Sequence, residues 1–379
     1  MIVAAIQGLQ DNIFKKCESF TGKKNWIIFL TLSLPLIALF FSFPSYERLN
    51  TEFAHGWKAI LEQANNPFTN NNYAADSHQA KLTFRLTMPL IAYVLHLGVM
   101  GILILQALTG TLMLYFSIKL FERITQDKVS SLLLALSLVF IGAGRNSFAE
   151  IRGIFDGLAL FFLVCSMYFK NPLLVFSGVF LSAWTDERGL IASAMVFLFW
   201  IYSNDNRENK IISKQTIAIL IAWIAYFISR YYLTVKFNLV TSSVDVLYYF
   251  IEQTNNLPIG IWSALEGNWI LVLLSLFILF KEKKYFFLSS YSIAISIMLF
   301  VAMSVFDIGR SMAYMMPAIF VSLQIVHQVE SKKILQQIIL VVTLVSFLYP
   351  AYVTAGDYFI NWNYPLPLQI LRHIFASGK

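Results

Sequence analysis

Charge is what this chain has least of. Only 13% of its 379 residues are Asp, Glu, Lys or Arg, while 58% are hydrophobic, and an ordinary soluble domain carries about 25% charged residues. That excludes a soluble globular class and places the chain among polytopic helical membrane proteins. Cysteine is nearly absent. Cys17 lies on the lysine-rich side and Cys165 within an apolar run, so no disulfide framework is encoded. The formal charge of +7 does not point to nucleic acid, because no long basic tract or zinc-finger spacing occurs and the basic residues are scattered through short loops. Gly142-x-Gly144 stands at the end of an apolar run with no strand before it, which excludes dinucleotide binding. No cleavable signal is expected either. Lys15-Lys16 and Lys23-Lys24 precede the first full apolar run, which has no small-residue cleavage site after it and reads as a signal anchor.

Long apolar runs are what the chain has in abundance. They predict an all-α, polytopic transmembrane helical bundle of about eleven spans, near 26–43, 99–121, 130–144, 156–169, 173–185, 189–203, 215–233, 260–280, 285–305, 311–328 and 338–354. The whole chain, 1–379, then forms one integral membrane domain. Residues 1–25 are expected as a cytoplasmic amphipathic N-terminus, with Val3, Ile6, Leu9 and Phe14 on one side. Loops 44–87 and 234–258 and the tail 355–379 are expected outside. The first of these loops is long enough to carry short interfacial helices, with Phe53, Trp57, Ile60 and Leu61 clustered on one side of the segment from Glu52 to Ala64. Several spans are shorter than the ~20 residues of a perpendicular helix, which draws Asp156, Asp186, Glu187 and Arg188 towards the membrane.

Sorting the loops by side sets most of the lysines apart from most of the arginines. Lys15, Lys16, Lys23, Lys24, Lys119, Lys128, Lys170, Lys210, Lys214, Lys281, Lys283, Lys284, Lys332 and Lys333 fall on one side, the cytoplasmic signature. Arg48, Arg85, Arg145, Arg152, Arg188, Arg230, Arg310 and Arg372 fall on the other, and only Arg123 and Arg207 join the lysines. Topology alone would accept lysine or arginine. The guanidinium fork, which grips phosphate bidentately, gives a reason for arginine outside.

Four short segments concentrate this chemistry: Gly144-Arg145-Asn146-Ser147 followed by Glu150, Arg152 and Asp156; Thr185-Asp186-Glu187-Arg188; Phe306-Asp307-Ile308-Gly309-Arg310; and Phe84-Arg85 before Pro89. Each sets an arginine beside acidic or polar groups at an outer helix end. Charges so close to hydrocarbon are costly unless paired or serving a cavity. The alternatives are therefore interfacial ion pairs and helix caps, or a shared site for an anionic ligand held by Arg85, Arg145, Arg152, Asp186, Glu187, Arg188, Asp307 and Arg310. Glu52-x-x-His55 and Asp76-x-His78 each offer two ligands to a divalent metal, a match common by chance; no cofactor is expected, with a divalent metal at these pairs as the alternative.

The order of parts resembles the GT-C class of integral membrane glycosyltransferases. An acidic residue follows the first span (Glu47 or Glu52), then an aromatic-bearing helix (Phe53, Trp57), the turn Asn66-Pro67-Phe68, and Arg85 to Pro89 opening the next apolar segment. Phe155-Asp156-Gly157-Leu158-Ala159-Leu160 and Trp184-Thr185-Asp186-Glu187-Arg188 are similar to helix ends of that class, so the resemblance covers roughly residues 26 to 203. It implies transfer of a sugar from a polyprenyl-phosphate carrier to a glycan or lipid acceptor on the outer face of a bacterial-type inner membrane. It further implies a loop carboxylate as base, with Glu52, Glu47 and Asp76 as candidates in that order, and Arg85, Arg188 and Arg310 holding the lipid phosphate. A lipid-linked glycan polymerase or ligase would also need outer arginines. A transporter or flippase of an anionic lipid or solute is the alternative outside enzymes, and would place its charges deeper. Membrane lipids are expected partners, and nucleic acid is not.

Overall fold

The computed structural model describes residues 2–41, 53–69, 74, 80, 82–151, 153–208, 212–239, 246–348, 352–355, 358–361 and 375. Its first half comprises α1 (Ile2–Thr21), α2 (Trp26–Phe41), α3 (Phe53–Asn65), α4 (Thr87–Leu95), α5 (Val99–Thr125), α6 (Lys128–Phe140), α7 (Gly142–Ala149), α8 (Asp156–Tyr168) and α9 (Pro172–Thr185). The second half comprises α10 (Glu187–Glu208), α11 (Lys214–Phe237), α12 (Val246–Glu252), α13 (Leu257–Leu265), α14 (Trp269–Lys281), α15 (Tyr285–Met303), α16 (Ile308–Met312), α17 (Met316–Val329) and α18 (Lys332–Leu348). One departure from all-helical architecture follows. The run expected to span to residue 354 ends as helix at Leu348, and an antiparallel hairpin pairs β1 (Tyr352–Ala355) with β2 (Tyr358–Asn361), Tyr352 standing opposite Asn361.

Among the described residues, five helical stretches are long and apolar enough to cross a membrane: Val99–Thr125, Lys214–Phe237, Thr254–Lys281, Tyr285–Met303 and Ile308–Val329. A sixth arises if α1 and α2, bent by 113° to one another, count as one broken span. α6, α8 and α9 are apolar but have only 13, 13 and 14 residues. At 1.5 Å per residue that is about 20 Å, short of a ~30 Å hydrocarbon layer. The long helices show apolar side chains outward: Ile221, Ile224 and Ile228 on α11 and Ile104 and Leu108 on α5 are more than half exposed, as lipid-facing positions are.

Inside the bundle, small residues set the spacing. A Cβ on Gly110 of α5 would lie 2.7 Å from the Ser147 carbonyl oxygen, and one on Gly157 of α8 would lie 2.7 Å from Ser147 Cα. The short helix α7 is therefore wedged between α5 and α8. Larger side chains fill the rest, with Phe121 stacked on Phe320 at 4.7 Å between centroids.

Polar contacts sort the two ends of the bundle. At one end Arg123 donates to the Met167 and Tyr168 carbonyls that close α8, at 2.7 and 2.6 Å, and Gln215 donates to the Lys170 carbonyl at 2.6 Å. Trp200 donates to the Ser166 carbonyl nearby, and Tyr202 to Gln328. The same end holds Asp127, which caps α6 through Ser130 and receives Lys332 Nζ at 3.0 Å and Gln336 Nε2 at 2.9 Å from α18. Burial alone would raise the Asp127 carboxyl, but the hydrogen bonds from Gln336, Ser130 and Lys332 outweigh it and leave the group below its ordinary value. This is the lysine end. Arg85, Arg188, Arg230 and Arg310 gather at the other.

Candidate functional site

The chain turns sharply between α9 and α10, and the turn presents three charged residues in a row. Asp186 breaks the helix with extended backbone, its carboxylate accepting from the Arg188 amide at 3.0 Å. Gly189 makes the corner possible: a Cβ there would fall against Ser182 Oγ and lie 2.6 Å from the Ser182 carbonyl oxygen. Three helices begin beside one another with acids at their starts. Asp156 is the first residue of α8, Glu187 the first of α10, and Asp307 caps α16 by accepting from the Arg310 amide at 3.1 Å. Carboxylates at helix N-termini face the positive end of the dipole.

Arg188 ties these starts together, and all three of its guanidinium nitrogens are engaged. Nε donates to Asp186 Oδ1 and Nη2 to Asp186 Oδ2, both at 2.7 Å; Nη2 also reaches Asp156 Oδ1 at 3.2 Å, and Nη1 donates to Ser311 Oγ at 2.8 Å. Tyr314 lies under the guanidinium, 4.9 Å from its ring centroid, and donates its hydroxyl to Asp156 Oδ1 at 2.9 Å. Asp156, Asp186, Arg188 and Tyr314 are buried and form the floor of the site.

Around the floor stands a more open rim. Arg85, just before α4, holds Asp186 Oδ2 from Nη1 at 3.0 Å and lies 3.7 Å from Glu187 Oε2 through Nε. Arg310 approaches Asp156 Oδ2 at 3.2 Å and Asp307 Oδ2 at 3.8 Å, both through Nε. Arg230 donates to the Tyr226 hydroxyl at 2.6 Å, stands 3.4 Å from Glu187 Oε1, and lies over the Phe84 ring at 4.2 Å. Burial alone would raise the Asp186 carboxyl, but Arg188 and Arg85 outweigh it and hold the group well below the usual carboxylate range.

Four arginines thus face four carboxylates, Asp156, Asp186, Glu187 and Asp307. The described cluster is close to electrically neutral. Some of its hydrogen-bonding capacity is unused: Asp156 Oδ2, Arg85 Nε and Arg310 Nε are buried without a hydrogen-bond partner among the described residues. Their ion-pair neighbours lie near but poorly aligned.

Of the expected anion-site residues, Arg85, Asp186, Glu187, Arg188, Asp307 and Arg310 meet in this cluster. Arg145 does not. Its Nη2 lies 3.5 Å from Glu266 Oε1, a separate buried pair between α7 and the junction of α13 and α14. Glu266 is fully buried and holds φ at +47°, a conformation L side chains rarely adopt. Arg152 and the loop acids Glu47, Glu52 and Asp76 lie outside the described residues. Among the described residues no group of three His, Cys, Asp or Glu side chains gathers to hold a metal ion.

Tyr226, Ser311 and Tyr314 join the site without having been singled out, as does Arg230 beyond its place among the outer arginines. Helical spacing carries a signal for two of them. Tyr314 follows Arg310 by four residues and Tyr226 precedes Arg230 by four, the separation that puts side chains on one face. Comparison with protein-family models, curated proteins and solved structures finds no match to this chain.

Proposed function

We propose that this protein is an integral membrane glycosyltransferase that takes a sugar from a polyprenyl-phosphate carrier and passes it to a glycan or lipid acceptor at the arginine end of the bundle. The observation that carries the reading is the cluster of four arginines, Arg188 buried and Arg85, Arg230 and Arg310 around it, in which Arg85 Nε and Arg310 Nε lack a hydrogen-bond partner among the described residues. A lipid phosphate supplies two acceptor oxygens that a planar guanidinium can grip bidentately. It is also the leaving group in this chemistry, so arginines that hold it stabilise the charge that develops as the sugar departs. Arg85 and Arg310 are the phosphate ligands in this reading. Arg188, occupied on every nitrogen by the protein, positions the carboxylates around them.

The same reading takes the lysine end as cytoplasmic, the arginine end as outer, and eleven spans as the crossing pattern, with the short helices α6, α8 and α9 as membrane-embedded segments of a bacterial-type inner-membrane protein. Mass spectrometry of protein reconstituted in liposomes with a polyprenyl-phosphate sugar tests it: a new glycosidic bond on the acceptor is the expected result. One observation favours a carrier instead. Glu266, with Arg145 Nη2 3.5 Å from its carboxyl, is buried at the break inside the Thr254–Lys281 stretch, where a discontinuous membrane helix commonly binds its cargo. Substrate crossing the bilayer unmodified would decide for that reading.

A further inference from the structure

Resting on the transferase reading, we infer that Glu187 is the carboxylate that removes the proton from the acceptor hydroxyl. The inference comes from how the four carboxylates of the cluster are occupied. Asp186 gives both oxygens to Arg188 and one of them also to Arg85, all within 3.0 Å. Asp156 receives Arg188 and Tyr314 on Oδ1 and faces Arg310 with Oδ2, on a side chain only 2% exposed. Asp307 caps α16 through Oδ1 and has its other oxygen on the side of Arg310. Glu187 differs in reach and in freedom. Its side chain is 37% exposed against 2%, 3% and 17% for the others, and its neighbours Arg230 and Arg85 stand at 3.4 and 3.7 Å, the latter beyond hydrogen-bond range.

A general base must first be within reach of the proton it takes. Glu187 satisfies that condition beside a proposed phosphate ligand, because Arg85 borders both groups. When the carrier phosphate occupies Arg85, Glu187 keeps Arg230 as its orienting partner. Arg230 is itself fixed by Tyr226 and Phe84.

The step balances without a co-reactant. The acceptor O–H bond breaks and its proton passes to Glu187. The acceptor oxygen forms a bond to the anomeric carbon as the bond from that carbon to the phosphate oxygen breaks, and the electron pair leaves on the polyprenyl phosphate held by Arg85 and Arg310. Glu187 then returns the proton to water. A single displacement of this kind inverts the anomeric centre.

The test uses the full chain in liposomes with a polyprenyl-phosphate sugar as donor. Glu187→Gln should keep the donor KM while kcat falls by about 100-fold, the loss typical of removing a general base. Glu187→Ala should regain transfer in added formate, and the product should be the inverted anomer. Wild-type protein that makes no glycosidic bond would overturn the transferase reading. Wild-type transfer with an undiminished Glu187→Gln rate, a retained anomer, or no formate rescue would overturn the role of Glu187 alone. If Glu187→Gln fails to fold, Glu187→Asp and the wild-type pH profile decide: a base requires an acid limb in kcat, and its absence removes the assignment.

Discussion

Replacing Arg188 by Met tests whether the charged floor holds the helix starts together. The substitution preserves length and apolar stem but removes the three nitrogens that engage Asp186, Asp156 and Ser311. Asp186 would keep Arg85, and Asp156 would keep Tyr314 and the poorly aligned Arg310, so neither acid is stranded entirely. Breaking a buried pair by removing one partner costs about 3–5 kcal/mol, and these residual contacts place the expectation at the lower end, about 3 kcal/mol. Arg188→Lys keeps the charge but cannot span all four acceptors, and loss of well-made hydrogen bonds to charged groups should cost about 1.5–3 kcal/mol. The second arm is a cycle. Arg188→Met combined with Asp186→Asn should recover part of the loss, with an interaction energy of about 0.5–3 kcal/mol as found for residues in one network. Denaturant unfolding in detergent, followed by tryptophan fluorescence, supplies the numbers. An Arg188→Met protein within about 0.5 kcal/mol of the parent, the range of ordinary surface changes, would refute the claim that this network organises the site.

Three further outcomes follow from particular contacts. Asp127 has a folded-state value below its ordinary one, so its contribution to stability is complete above the ordinary aspartate range near 3.9 and is lost as pH falls through the folded value; Asp127→Asn should flatten the acid side of a stability-against-pH curve. Gly189→Ala places a methyl against Ser182 and should cost about 1–3 kcal/mol in the same unfolding assay, as overpacking does, while an unchanged midpoint would mean that the corner is not tightly packed. Single cysteines at Lys281 and Lys333, in a background lacking Cys17 and Cys165, should be labelled by an impermeant reagent from one side of the membrane, and one at Asn238 only from the other. Labelling of all three from the same side would dismantle the sorting of lysines from arginines.

Much of this arrangement was legible in the sequence because it rests on local rules. Several of the lysine-bearing connections read from the sequence come together in the structure, as Gln215 with Lys170 and Lys332 with Asp127 show, with Arg123 among them. The runs Thr185 to Arg188 and Phe306 to Arg310 were visible as charged helix ends, since acids at helix starts and glycine at a corner have sequence signatures. Pairing was not legible. Arg145 belongs to a motif like the other three, yet its partner Glu266 lies far along the chain and draws it out of the cluster. Nor does a sequence reveal that Arg188 is saturated while Arg310, among the described residues, pairs with its acids through Nε, because that depends on how α10 and α16 meet. The short apolar runs near 130, 156 and 173 were visible as apolar, but their helices stop at 13 or 14 residues where Asp127, Asp156 and Asn171 start them.

The near balance of charge in the cluster constrains how a ligand reaches it. Four unpaired arginines next to hydrocarbon would carry a desolvation penalty of several kcal/mol each, and the four carboxylates make the unliganded state tolerable. That balance has a consequence for recognition. A neutral site projects little field into solvent, so it gains little of the long-range steering that speeds association with a soluble anion. A phosphate attached to a membrane-embedded chain does not need that steering, because the bilayer already confines it to the depth of the helix ends. Under the proposed function, binding would proceed by exchange at short range, with phosphate oxygens reaching the Arg85 and Arg310 nitrogens that Glu187 and Asp156 now face without good alignment. The loose contacts at 3.7 and 3.2 Å are the ones such an exchange would replace, while the 2.7 Å bonds of Arg188 to Asp186 would hold the frame.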